Sequence, residues 1–217
     1  MPVIIDRQSM AVSAKIPLFH SEDIIAKYNI KDAVNGFINA VLDYNKKVNI
    51  VSRETSVPDL LKIAADCLVP LEFGMLPRGR FFDIGSGGGF PAIVFLLAFP
   101  GVEATLFERI GKKAVFLRDF IRQSHLPAEV IDLDFAEAVR RLEPGSFDFG
   151  TIKLVRPDRK IFRGAGSLLR PSGRLIYYAS AEKISSDVPG SFERVIHNYY
   201  LDDIKQLRAI TIFSKRD

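Results

Sequence analysis

Phe81-Phe82-Asp83-Ile84-Gly85-Ser86-Gly87-Gly88-Gly89-Phe90-Pro91 runs two apolar residues and a carboxylate into a cluster of glycines and then into a proline-started apolar segment. That order predicts a strand, a tight loop and a helix. Glycines at 85, 87, 88 and 89 permit positive φ and present no Cβ, so a ligand can lie against the peptide groups and the N-terminus of the next helix. Such a loop suits a nucleotide-like guest. Further on, Thr105-Leu106-Phe107-Glu108 reads as a second strand closed by an acid. It falls about 20 residues beyond the loop, where a parallel βαβ unit brings a carboxylate to a ribose.

Spacing bears on which ligand. The pattern G-x-G-x-x-G begun at Gly85 needs a glycine where Phe90 stands; begun at Gly87 it gives Gly87, Gly89 and Ala92, a permitted dinucleotide variant. Asp83, two residues before the first glycine, is placed to reach the amino acid end of S-adenosylmethionine. That cofactor is the one expected, with a dinucleotide as the alternative and a ligand-free glycine turn as the third reading.

Working outward, Ser21 with Glu22 and Asp23 marks a helix start, and Val34, Phe37, Ile38, Val41 and Leu42 form a helical stripe, so residues 21–45 read as one helix. Ser56 and Pro58 open another that runs to about Leu71. Residues 1–78 thus form a helical cap, and Pro77-Arg78-Gly79-Arg80 leads into a second domain over 79–217. There, helices at Pro91 to Phe99, Lys112 to Gln123, Phe135 to Leu142 and Pro157 to Leu169 alternate with strands at Val130 to Leu133, Phe147 to Val155 and Arg174 to Tyr178. Val195 to Tyr200 and Leu207 to Ser214 read as a closing antiparallel hairpin. Alternation specifies a mostly parallel sheet covered on both faces. The expectation is an α/β, Rossmann-like class I methyltransferase fold with a seven-stranded sheet.

With 217 residues, 47% hydrophobic and 26% charged, the chain has a globular composition. A single cysteine, Cys67, excludes an internal disulfide and any multi-thiolate zinc site, and no metal is expected. Met1 to Arg7 carries no apolar core of signal-peptide length, and the apolar run from Phe90 to Val102 falls short of the ~20 residues a membrane span needs. A cytoplasmic monomer without a membrane partner is expected. Net charge is +4, but its placement says more than its size. Lys153, Arg156, Arg159, Lys160, Arg163, Arg170 and Arg174 face only Asp158 among acids in that stretch, a bias that attracts phosphate backbones. A solvated helix face is the plainer alternative. His20, His125 and His197 lie in no motif and read as structural or surface residues.

Three stretches go beyond fold class. Asn45-Lys46-Lys47-Val48-Asn49-Ile50-Val51-Ser52, the run from Asp83 to Pro91, and Glu108-Arg109-Ile110-Gly111-Lys112-Lys113-Ala114-Val115-Phe116-Leu117 resemble the bacterial small-subunit ribosomal RNA guanine-N7 methyltransferases, also known as the glucose-inhibited division protein B family. The likeness runs from about Ile38 to Gly173. It implies S-adenosylmethionine as methyl donor and ribosomal RNA or the small ribosomal subunit as partner. It further implies that Gly85 and Phe90 frame the cofactor's amino acid end, that Glu108 meets its ribose, and that Ala136 and Glu137 flank its adenine. Lys153 stands where the family has an arginine in a Ser-Arg-Ala run, here Ile152-Lys153-Leu154. At the end of a strand it is the candidate catalytic residue, holding guanine O6 or a phosphate as a point charge. Lys153, Arg156, Arg159, Lys160 and Arg163 are the candidate RNA contacts.

Other positions depart from the family. Phe135 replaces an arginine, Ala179-Ser180 a Lys-Gly pair, and Ile63-Ala64-Ala65-Asp66-Cys67 keeps only Asp66 of a His-x-x-Asp-Ser run. Two alternatives therefore stand beside RNA methylation: a cofactor-binding RNA module without turnover, and methylation of a small molecule or protein.

Overall fold

The structure, a computed structural model, describes residues 16–182, 184 and 188–216; the stretch Met1 to Arg7 lies outside the described residues. A short strand β1 (Leu18–Phe19) precedes three helices, α1 (Ser21–Lys27), α2 (Lys31–Asn45) and α3 (Val57–Glu72). Alternation then begins with β2 (Gly79–Ile84), α4 (Ala92–Ala98), β3 (Val102–Phe107), α5 (Gly111–Gln123) and β4 (Ala128–Ile131). It continues through α6 (Phe135–Ala138), β5 (Phe147–Ile152), α7 (Arg159–Leu168) and β6 (Leu169–Tyr177), and closes with β7 (Phe192–Leu201) and β8 (Asp203–Lys215).

The sheet has eight strands in the order β1-β7-β8-β6-β5-β2-β3-β4. Every pairing is parallel except those of β8 with β6 and with β7. The seven expected strands are present, and β1 adds an eighth at the edge, pairing Leu18 with Tyr200 and Phe19 with Leu201. Two residues are too few to show an alternation. The single helix expected over 21–45 is two, because Asn29 takes φ 53° between them; asparagine tolerates that left-handed turn. The second cap helix starts as expected, on a capping box in which Ser56 Oγ accepts from the Asp59 N–H and the Asp59 carboxylate accepts from the Ser56 N–H. Strand β5 ends at Ile152, three residues early, as Lys153, Leu154 and Val155 leave the sheet.

Strand periodicity sends neighbours to opposite faces, and Phe81 and Phe82 divide the core accordingly. Phe81 stacks on Phe149 at 4.7 Å in a cluster shared with Phe37, Leu60 and Leu68 of the cap and Phe95 of α4. Phe82 meets Phe107, Phe135 and Phe147 on the other face, a cluster completed by Phe162 of α7. Cap and sheet therefore share one core. Gly150 of β5 makes this possible, since a Cβ there would lie 2.3 Å from the Phe82 ring. Among the described residues no helix is long and apolar enough to cross a membrane.

Candidate active site

Chain order reverses between β2 and β5: β3 and β4 extend the sheet on one side, β6 and the hairpin on the other. In open α/β sheets ligands bind beyond the carboxyl ends of the strands at that point. A cleft of about 870 Å³ opens there, within the usual size for small-molecule sites. Its walls come from the loops after β2, β3, β4 and β5, from Ile50, Val51, Ser52, Thr55, Ile63 and Asp66 in the cap, and from Lys160 and Arg208.

The glycine loop is fixed from behind. Gly85 and Ser86 donate their N–H groups to the Phe107 carbonyl at 2.9 and 3.0 Å. Gly85 takes φ 73°, and a Cβ on it would lie 2.5 Å from Val155 Cγ2. Glu108 ties the loop to the next helix: one carboxylate oxygen accepts from the Gly87 N–H and the other from the Ile110 N–H, each at 2.7 Å. Such bonds to an ionised acceptor are short and strong, and each oxygen keeps a further lone pair for a ligand. Behind the loop, buried Asp83 accepts from the Thr151 hydroxyl at 2.6 Å. Its other oxygen, Oδ2, has no hydrogen-bond partner among the described residues. Burial pushes the Asp83 carboxyl up to about 6, against the Thr151 bond that favours its charge.

Gly85, Gly87, Phe90, Glu108, Ala136, Lys153 and Lys160 line the cleft. Asp83 stands behind its wall. Gly89 turns toward the core, where a Cβ would meet Ile93, Phe37 and Leu117. Glu137 pairs with Arg141 at 3.1 Å on the surface. Arg159 and Arg163 line a separate recess with Phe162 and Gly166, and Arg156 belongs to neither lining. Phe90 and Phe135 edge the cleft but pack inward, Phe90 on Phe37 at 4.9 Å and Phe135 on Phe107 at 5.0 Å.

A polar cluster at the cleft's cap side escapes sequence reasoning. Lys153 Nζ donates to Asp66 Oδ2 and lies 4.7 Å above the Tyr178 ring. The other Asp66 oxygen accepts from Tyr199 at 2.7 Å and from Arg208 at 3.1 Å. Tyr178 in turn donates to the Cys67 carbonyl at 2.6 Å. Burial disfavours a charged Asp66, but Lys153, Tyr199 and Arg208 more than offset it and hold its carboxyl below the usual range. Burial also raises the Cys67 thiol, which disfavours the thiolate there. Arg208 had one signal: it is a cation standing where the hairpin pattern turns from Leu207 to the apolar run Ala209-Ile210.

Residues 30–188 match the family model GidB, described as rRNA small subunit methyltransferase G. The chain belongs to the GidB family. Its relatives include the ribosomal RNA small subunit methyltransferase G of Rhodopseudomonas palustris (strain ATCC BAA-98 / CGA009), 29% identical over 158 residues that cover 71% of this chain and 70% of that one. The enzyme of the same name from Halorhodospira halophila is 28% identical over 179 residues, 82% and 81% of the two chains. Among solved structures, cofactor-bound Rv0187 from MTB superposes with a TM-score of 0.60 at 14% identity, over 84% of this chain and 90% of that one. The tRNA (m1A58) methyltransferase TrmI from Aquifex aeolicus does so with 0.54 at 13%, over 71% and 69%. Those two likenesses show the fold, that of the class I methyltransferases. The GidB match ends before Tyr199 and Arg208, so the hairpin's share of the Asp66 cluster lies beyond it.

Proposed function

We propose that the chain transfers a methyl group from S-adenosylmethionine to small-subunit ribosomal RNA, at guanine N7, as a cytoplasmic monomer. The observation that carries this reading is a glycine loop pinned to Glu108 in the same cleft as Lys153 and Lys160, in a chain of the GidB family.

The residues fit the cofactor. Gly85 to Gly88 form a cradle that a Cβ at position 85 would break, and Glu108 keeps lone pairs suited to two ribose hydroxyls. Leu133, Phe135 and Ala136 offer an apolar wall for a base. When bound, S-adenosylmethionine supplies an electrophilic methyl on a sulfonium. Guanine N7 has a free lone pair, so the chain needs no general base, only placement of the acceptor and exclusion of water. Lys153 would serve the acceptor. Asp66 and Tyr178 hold its ammonium in place, and its remaining N–H bonds can meet guanine O6 or a phosphate.

Arg109, Lys113 and Lys160 also line the cleft and make no ion pair among the described residues. Three uncommitted cations at one cleft favour a polyanionic substrate over a neutral one. The test is methyl transfer to small subunits, or to their RNA, from a strain lacking its own enzyme, with the product cleaved at N7-methylguanosine. One cleavage position is expected. No transfer despite cofactor binding would leave a binding module in its place, and a calorimetric preference for NAD would overturn the cofactor.

A further inference from the structure

Leu154 is 98% exposed and takes φ 61° at the edge of the cleft. Both features are unfavourable. A leucine in water gives up the gain of burial, and a bulky L residue is strained in the left-handed region. The flanking residues show how the conformation is imposed. Lys153 is drawn inward onto Asp66 and Tyr178. Val155 packs so closely on Gly85 that no Cβ fits between them. With both neighbours anchored in the site, the residue between them is turned outward over the cofactor cleft. Glycine there would relieve the strain and a polar residue would suit the solvent. The chain has leucine.

The surrounding charge says what meets it. Acids that line the cleft all accept hydrogen bonds within the chain: Asp66 from Lys153, Tyr199 and Arg208, Glu108 from the Gly87 and Ile110 N–H groups, Asp134 from the Ala136 N–H, and Asp158 from the Ile161 N–H. The cations Arg109, Lys113 and Lys160 are in no ion pair among the described residues. An apolar projection set among cations matches a stack of bases flanked by phosphates. A guanine within a stacked RNA cannot enter a cleft; it must leave the stack, and the opened step is where apolar wedges insert.

We propose that Leu154 is such a wedge, entering the base step that the target guanine vacates as it turns into the cleft. This rests on the RNA reading above, and the test separates the two. Once the methylated nucleotide is mapped, RNA carrying 2-aminopurine beside it should brighten on binding the parent and Leu154→Met, and stay dim with Leu154→Ala. In Leu154→Ala, kcat/KM for RNA should fall about tenfold or more, with S-adenosylmethionine affinity and Tm unchanged. Leu154→Met should recover most of the loss. If Leu154→Ala methylates at the parent's rate with the same fluorescence, the wedge is overturned while the RNA reading stands. If sedimentation shows the parent self-associating and Leu154→Ala not, Leu154 instead covers a second copy. If the parent transfers no methyl group to RNA, both the proposed function and the wedge fall.

Discussion

Glu108 and Asp83 both stand at the glycine loop, one bonded to its backbone and the other buried behind it. Glu108 accepts one backbone N–H on each oxygen and keeps a lone pair on each, so Glu108→Ala both frees the loop and removes the ribose acceptor. Calorimetry should show S-adenosylmethionine affinity weakened by about 1–3 kcal/mol, as for a lost bond to an ionised group. Unchanged affinity would remove Glu108 from the site. For Asp83 the folded carboxyl is raised to about 6, against about 3.9 in an unfolded chain. The native state therefore holds the proton more tightly, and burying the ionised form costs stability above pH 6. That cost fades as pH falls toward the unfolded value. Asp83→Asn keeps a partner for Thr151 and has no charge to bury, so in urea titrations it should exceed the parent by about 2–3 kcal/mol at pH 8. Its advantage should shrink steadily between about pH 6 and pH 4. An advantage that does not vary with pH would mean that the Asp83 charge is compensated in the native state.

Helix α7 carries the basic run, and its period divides that run. Phe162, Ala165 and Leu168 face the core, Lys160 reaches the cleft, and Arg159 and Arg163 line a recess of their own. Binding to ribosomal RNA should separate them. Lys160→Gln should lower the slope of log affinity against log salt by about 1, while Arg159→Ala with Arg163→Ala should change it less. Equal effects would mean that the RNA covers both faces of the helix. Most of the elements were legible, because periods of 2 and 3.6 survive in Val34 to Leu42, Phe116 to Ile121 and the hairpin, and because the glycines from 85 to 89 and Glu108 carry their spacing with them. Breaks that rest on a single conformation were not. At Asn29 one residue that tolerates the left-handed region is the whole signal, and Leu154 shows its strain only once Lys153 and Val155 are seen anchored. The face each arginine of α7 presents also depended on where the helix starts, at Arg159 and not Pro157.

At the scale of the whole molecule, Asp66 joins parts that lie far apart in the chain. Its partners Lys153, Tyr199 and Arg208 are 87, 133 and 142 residues away, which is why no local pattern could assemble the cluster. It links α3 of the cap to the end of β5 and to both strands of the hairpin. Removing the carboxylate leaves Lys153 and Arg208 in a largely buried place without their counter-charge. Breaking a buried pair in that way costs about 3–5 kcal/mol, so Asp66→Ala should be strongly destabilised in urea. The pH dependence follows from the depressed carboxyl. Its stabilisation is fully present above the unfolded value of about 3.9 and is lost as pH falls through the lower folded value. Asp66→Asn should therefore lack the part of the parent's acid-induced loss that begins below about pH 4. Hydrogen exchange tells a tie from a local contact. If the cluster couples cap to hairpin, amides of α3 and of β7 and β8 should lose protection together in Asp66→Ala, and adding Arg208→Ala should cost less than it does alone. If α3 loosens while the hairpin keeps its protection, and the two substitutions add, Asp66 serves the cap alone and Lys153 is positioned by Tyr178.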